Sequence, residues 1–237
     1  MKRRRGLFVT ATDTEVGKTV VTAGLAALFQ SCGQRVQVVK PVQSGHSAED
    51  PEGDAMRLKQ WARLAEPVNR IVFRAFQQPV SPWMAARMEG ETFDAKKLAE
   101  EIGEIPEDRI VLVEGAGGLM TPLGEGFTIA DFARLIGFPL LIVARPNLGT
   151  VNHTVLTAMA ARRYGLELAG VVLNGYRPDE EDPSLQHNPE LIRSFGGVDI
   201  LGRLPWIREI SADTLQKTME EHIDRRRLLE AVGAEIG

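Results

Sequence analysis

A single cysteine, Cys32, stands in 237 residues, so no internal disulfide can brace this chain. No grouping of cysteine and histidine has the spacing of a zinc site. Charge of one sign is also missing: 28 Lys plus Arg face 32 Asp plus Glu, a formal net charge of -4. That near balance removes the broad basic field that draws in nucleic acid or an anionic membrane, so any bound anion must be held by local groups. Long apolar runs are absent, and none approaches the ~20 residues of a membrane-spanning helix. The basic start Met1-Lys2-Arg3-Arg4-Arg5 is followed only by Leu7-Phe8-Val9 before threonines and acids intervene, too short a run for a signal peptide, and it reads as a solvated tail. These absences lead to the expectation of a soluble, cytoplasmic protein with neither nucleic acid nor membrane as partner.

What is present suits one generous α/β domain. Hydrophobic residues make up 43% of the chain, enough for a sizeable core, and no linker or internal repeat divides it, so residues 1–237 are expected to form a single domain. Short aliphatic runs alternate with segments of helical periodicity, the pattern of a central, mostly parallel sheet with helices on both faces. Strands are predicted at 6–10, 36–40, 109–114, 139–144, 168–174 and 200–204. Ile110-Val-Leu-Val113 and Leu140-Leu-Ile-Val143 do not alternate with polar residues, as strands covered on both sides should not. Helices are predicted at 17–30, 54–64, 81–88, 94–104, 129–136 and 150–164, with Asp94 and Thr150 as N-caps and Gly33, Gly137 and Gly165 as stops. Residues 43–54 read as a long loop, residues 176–189 as a polar and mobile insertion, and residues 214–236 as a helical tail too rich in Glu and Arg to dock on a membrane.

The first strand runs into Ala11-Thr-Asp-Thr-Glu-Val-Gly-Lys-Thr19 and then an apolar helix. Strand, loop and helix in that order give Gly-Lys-Thr its meaning as a phosphate cradle. Gly17 lets backbone pass close to phosphate oxygens, and the amides and dipole of the helix start favour the anion. Lys18 would reach the β and γ phosphates, and the Thr19 hydroxyl would sit on Mg²⁺. The usual first glycine of such a loop is Thr12 here. Two carboxylates reinforce the reading. Glu114 closes a buried strand, and Asp54 heads a helix after the long loop, where its alternative role is an N-cap. A threonine hydroxyl with one or two carboxylates is a sufficient protein contribution to Mg²⁺. Lys40, at a predicted strand end and followed by a presumed turn Pro41-Val-Gln-Ser-Gly45, is the other charge that apolar periodicity leaves unexplained.

These residues resemble the dethiobiotin synthetase family. The likeness is carried by Thr10-Ala-Thr-Asp-Thr-Glu-Val-Gly-Lys-Thr19, Lys40-Pro-Val-Gln-Ser-Gly45, Ser81-Pro82 with Glu89-Gly90, Val113-Glu-Gly-Ala-Gly-Gly118, Asn147-Leu-Gly-Thr-Val-Asn-His153, Val172-Leu-Asn174 and Leu204-Pro-Trp206, in order along the chain. The resemblance implies a homodimeric ligase of biotin biosynthesis. It would use Mg-ATP to carboxylate 7,8-diaminononanoate with CO2 or bicarbonate and close the ureido ring, releasing ADP and phosphate. It also implies the site. Lys40, Lys18 and Thr14 would be catalytic, with Ser44 beside the diamine and Gly118 on the same substrate. Asn147, Gly149, Thr150 and Asn152 would receive its carboxylate across the subunit interface through free backbone amides. Glu15, Val16, Gly17, Lys18, Thr19 and Val20 would cradle the nucleotide, whose base would meet Asn174, Pro205 and Trp206. Thr19, Asp54 and Glu114 would hold Mg²⁺.

Two departures from the family pattern stand out: Ala11 where glycine is usual, and Trp83 where histidine would follow Ser81-Pro82. Asp13 and Glu15 could orient ammonium groups or simply bond within the loop. Three other readings compete on sequence. A partner-controlled ATPase of the chromosome- or septum-positioning type shares the fold, but usually carries a second lysine early in the loop, where this chain has Thr12 or Asp13. A cobyrinate-type amide ligase would need a further glutaminase domain, and a non-catalytic nucleotide-binding domain would not keep Lys18, Lys40 and Glu114 together.

Overall fold

The computed structural model describes residues 4–234. Residues 1–3, the first part of the basic start, and those beyond 234 lie outside them. In chain order the elements are β1 (Gly6–Ala11), α1 (Lys18–Ser31), β2 (Val36–Ser44), α2 (Asp54–Trp61), β3 (Val72–Phe76), α3 (Pro82–Met88), α4 (Ala95–Gly103), β4 (Ile110–Glu114), β5 (Pro122–Gly124), β6 (Phe127–Thr128), α5 (Ile129–Ile136), β7 (Leu140–Ala144), α6 (Thr150–Arg163), β8 (Leu168–Tyr176), α7 (Asn188–Gly196), β9 (Ile200–Pro205), α8 (Ala212–His222) and α9 (Arg225–Val232).

Seven strands form one sheet in the order β3-β2-β4-β1-β7-β8-β9, every neighbouring pair parallel, and β5 and β6 make a small separate hairpin. The strands predicted from aliphatic runs without alternation are buried along their whole length in β4 and β7, because helices cover both faces. One face packs Val21, Leu25, Leu28 and Phe29 of α1 with Leu58, Leu215, Met219, Leu228 and Leu229 from α2, α8 and α9. The other packs Phe132 of α5 with Ala85, Leu98, Ala158 and Ile192 from α3, α4, α6 and α7. The C-terminal segment, expected to be helical, forms two helices, both laid against the α1 face.

Three expectations are corrected. β2 does not end at Lys40 in a turn; it runs on through Ser44 and pairs with β3, a strand that the sequence reading missed. Pro41 is tolerated because β4 pairs β2 only as far as Val39↔Val113, so no partner waits for the donor that proline lacks. Thr150 is the first residue of α6 and not its cap; Gly149, at φ 94°, takes the cap position. The segment 176–189 is not all loop, since β8 continues to Tyr176 and α7 begins at Asn188. Asp94 caps α4 as expected, accepting the Lys96 amide. Ligands of open parallel sheets gather beyond the carboxyl ends of the strands where the winding direction reverses, here around central β1.

Candidate active site

β1 delivers the loop 12–17 to the carboxyl edge of the sheet. The amide of Thr12 donates to Val143 O at 3.0 Å, which fixes the chain's exit from the strand. Asp13 accepts the Thr14 amide at 2.8 Å and pairs with Arg145, just beyond β7, at 3.0 Å. Glu15 lies at φ 57° and Gly17 at φ 89°. Gly17 is required on two counts: its φ is left-handed, and a Cβ there would stand 2.2 Å from Asn174 Nδ2. That same Nδ2 donates to Val16 O at 3.0 Å, tying the loop to β8. No side chain caps α1, so its first amides stay available to an anion. Ala11 is fully buried at the end of β1, its methyl taken into the core on the α1 face, which accounts for a side chain where glycine was expected.

Beside the loop lies a charge cluster. Lys40 Nζ stands 2.7 Å from Asp54 Oδ2 and 2.8 Å from Glu114 Oε1. It also donates to Gly115 O at 3.1 Å. Thr19 Oγ1 lies 2.9 Å from Asp54 Oδ1 and 3.0 Å from Glu114 Oε1, one hydroxyl proton between two carboxylate oxygens. Glu114 is wholly buried, and its Oε2 has no partner. Asp54 is the first residue of α2, its side chain turned to this cluster and capping nothing. The N-cap alternative for Asp54 is therefore set aside. Burial works against the Lys40 ammonium, but Asp54 and Glu114 outweigh it and hold its pKa above the ordinary lysine range. Lys40 in turn draws the Asp54 carboxyl down to about 2, against a smaller opposing effect of burial. Lys18 differs: loss of water, then repulsion from Lys40, lowers its pKa to about 8 despite Glu114, Asp54 and Asp13.

Two cavities meet at the loop. The larger, about 870 Å³, holds Thr14, Lys18, Thr19, Lys40, Ser44 and Asp54, and is closed by Ser81-Pro82 and Ala116-Gly117. The smaller, about 430 Å³, is lined by Asn174, Pro205 and Trp206, and shares Glu15, Gly17 and Val20 with the first. The arrangement is one of a phosphate cradle between a base-sized slot and a charged chamber. Arg177, which the sequence reading passed over, lies with its guanidinium 4.3 Å from the centre of the Trp206 ring. Arg145, Arg57 and His46 also line the two cavities without having been anticipated. The only signal for them is position, each a few residues beyond a strand end or helix start. Trp83 lies away from both cavities and stacks with Arg87 at 5.1 Å.

The remaining expected residues divide. Gly118 sits against the backbone of the loop, where an added Cβ would lie 3.4 Å from Ala11 O. Asn147 lines the smaller cavity, its Nδ2 bonded to Glu180 Oε1. Gly149 and Asn152 face away from both cavities, onto a third groove of about 990 Å³ between α6 and α7. Thr150 is buried, its hydroxyl 3.5 Å from that of Thr154. The amides here are not all free: that of Leu148 already donates to Asp182 Oδ2 at 2.7 Å. Large apolar side chains rim the groove, with Leu148 81%, Phe195 73% and Leu156 55% exposed.

A family model described as an AAA domain matches residues 5–214. The chain is 42% identical over 229 residues, 96% of its length and 94% of the relative's, to a protein of Bacillus cereus named ATP-dependent dethiobiotin synthetase. It is 40% identical over 232 residues, 97% of its length and 99% of the relative's, to the protein of that name from Bacillus subtilis. Among solved structures, the MinC:MinD cell division protein complex of Aquifex aeolicus matches with a TM-score of 0.55 at 14% identity, over 96% of this chain and 92% of that one, a likeness of fold.

Proposed function

Because the chain belongs to the ATP-dependent dethiobiotin synthetases, we propose that the charged chamber is where 7,8-diaminononanoate, CO2 and the γ phosphate of ATP meet. The carrying observation is the convergence of Lys18, Lys40, Thr19, Asp54 and Glu114 at the mouth of one cradle. Sequence distance gives no hint of this, since 96 residues separate Lys18 from Glu114 in the numbering.

The residues fit a divalent cation. Glu114 Oε2 is buried without a partner, Asp54 is held ionised, and one hydroxyl lies between two carboxylates. These are the hard oxygen donors that Mg²⁺ prefers. Among the described residues no group of three or more His, Cys, Asp or Glu could hold a metal; Thr19, Asp54 and Glu114 would give Mg²⁺ only a few protein oxygens, the rest of its octahedron being water. Bound there, it would neutralise phosphate charge next to Lys18.

This chain's own groups account for the chemistry in three steps. An amine attacks CO2 only when neutral, and the Lys40 and Lys18 cations beside it lower the diamine's pKa. The same charges stabilise the carbamate oxygen as it attacks the γ phosphorus and ADP leaves. They then stabilise the oxyanion formed when the second amine attacks the carbamoyl carbon and expels phosphate. No enzyme nucleophile is needed, since holding three reactants together supplies much of the acceleration. Thr14 and Ser44, on the chamber wall, offer hydroxyls to the diamine and the carbamate. In the other cavity Asn174, with one Nδ2 hydrogen held by Val16 O, offers the rest of its amide to the base, and Trp206 with Arg177 forms one wall of that slot.

The protein works as a homodimer in the cytoplasm, the substrate carboxylate being met by the start of α6 from the partner subunit. In favour stand the unpartnered apolar rim of the third groove and the placing of Gly149 and Asn152 on it. No helix of the described residues is long and apolar enough to cross a membrane. Release of phosphate from ATP is the test: it should require both bicarbonate and 7,8-diaminononanoate. Hydrolysis that ran equally fast without the diamine would sink the assignment of the chamber.

A further inference from the structure

Gln43 is 1% exposed near the carboxyl end of β2, and the chemistry above gives it no task. Its amide is nevertheless fully used. Nε2 donates to the carbonyls of His46 at 3.1 Å and Ser47 at 2.8 Å. Oε1 accepts the amide of Ala55 at 2.8 Å. One buried side chain thus grips both ends of the loop between β2 and α2. The loop is further tied by His46 Nδ1 to Asp50 Oδ2 at 3.0 Å and by the Gly53 amide to Asp50 O at 2.9 Å. Gly53 belongs to the same device. At φ -77° and ψ 153° any residue could stand there, yet a Cβ would lie 2.7 Å from Gln43 Nε2 and 3.0 Å from His46 Cβ. Glycine at 53 makes room for the Gln43 amide; it does not relieve the backbone.

Asp54 is the residue between Gly53, which Gln43 touches, and Ala55, which it holds by the backbone. The same strand carries Lys40, 2.7 Å from the Asp54 carboxylate. We propose that Gln43 is a positioning residue for the metal site: by fixing the start of α2 to β2 it aims Asp54 at Thr19 and Glu114. The inference rests on the reading of Asp54 as a Mg²⁺ ligand. A buried amide with three satisfied bonds suits this work, because losing it strands the Ala55 amide and frees the loop in one stroke.

Gln43→Leu removes all three bonds at similar volume. The Mg²⁺ concentration for half-maximal turnover should rise roughly 10- to 100-fold, as for other groups that orient a metal ligand. Turnover at saturating Mg²⁺ and ADP affinity without Mg²⁺ should both stay within about twofold. Amide exchange, read without turnover, should quicken at residues 46–55. Gly53→Ala leaves every hydrogen-bonding group in place but displaces the Gln43 amide, and should shift the Mg²⁺ dependence in the same direction. Gln43→Leu with unchanged Mg²⁺ dependence, or with turnover and Mg-free ADP affinity falling in step, overturns the proposal. Asp54→Ala separates the two layers of the argument. If it too leaves the Mg²⁺ dependence unchanged, the metal assignment beneath has failed; if it shifts while both Gln43→Leu and Gly53→Ala do not, only the role of Gln43 has.

Discussion

The chamber beside the cradle and the groove between α6 and α7 are cavities of similar size, about 870 Å³ and 990 Å³, built on opposite principles. In the chamber, Lys40, Asp54, Glu114 and Thr19 satisfy one another almost completely, leaving one carboxylate oxygen over. In the groove Leu148, Leu156 and Phe195 stay more than half exposed among the described residues. A closed ionic cluster is costly unless its members are paired, and here the pairing is made within one chain. An apolar rim carries no such demand and can wait for a partner, at the cost of exposed hydrophobic surface. On the proposed function, the difference teaches which half of the reaction one chain could prepare alone: phosphate and metal chemistry would be assembled in the monomer, and recognition of the far end of the substrate would need the partner.

The sharpest break in this contrast comes from Lys40→Met. It should lower turnover by roughly 10²- to 10³-fold, the scale of losing one preorganised charge donor, while ADP affinity in Mg²⁺ changes little. A variant that lost ADP in proportion would put Lys40 in the wrong half of the site. Without Mg²⁺ this variant should also melt earlier, because the buried Glu114 carboxyl loses its ammonium partner, and Mg²⁺ should restore much of the difference.

Leu156→Asp addresses the groove. A charge on its rim should weaken self-association by on the order of 30-fold, about 2 kcal/mol, as for a central interface position. Sedimentation would follow the dimer, and the KM for the diamine should rise at protein concentrations where dimer is lost. ADP binding should not move. Unchanged association would remove this face from the interface.

The smallest effect concerns Lys18. Its pKa in the nucleotide-free protein is lowered to about 8, first by burial and then by Lys40. Phosphate charge favours the ammonium, so nucleotide binding raises that pKa. Above about pH 8 binding must therefore take up a fraction of a proton and weaken as pH rises, by at most about tenfold per unit. Below about pH 7 the ammonium is already formed and uptake should vanish. Calorimetry in buffers of differing ionisation enthalpy, at pH about 6.5 and 9, reads this directly. Equal uptake at both values would mean that Lys18 is not the linked group.

Much of this was legible beforehand for a physical reason that differs by region. The strands flanking the cradle are fully buried, so their sequences are uniformly aliphatic, and Gly17, Lys18 and Thr19 follow one of them directly. The strand β3, with Phe73, Arg74 and Ala75 partly exposed at the sheet edge, carries a weaker pattern and went unread. Pro41 looked like a stop because sequence cannot say that β4 ends beside it.

From sequence alone came the phosphate cradle, the parallel sheet and the charged residues at its edge, since local spacing and uniform burial leave their mark on neighbouring letters. Only the tertiary structure decided that Asp54 points to Lys40 instead of capping its helix, that Gln43 holds it there, and that Gly149 and Asn152 open onto a separate apolar groove. Those outcomes depend on which strand ends come to lie side by side, and that is fixed by packing across the sheet, not by the order of residues along the chain.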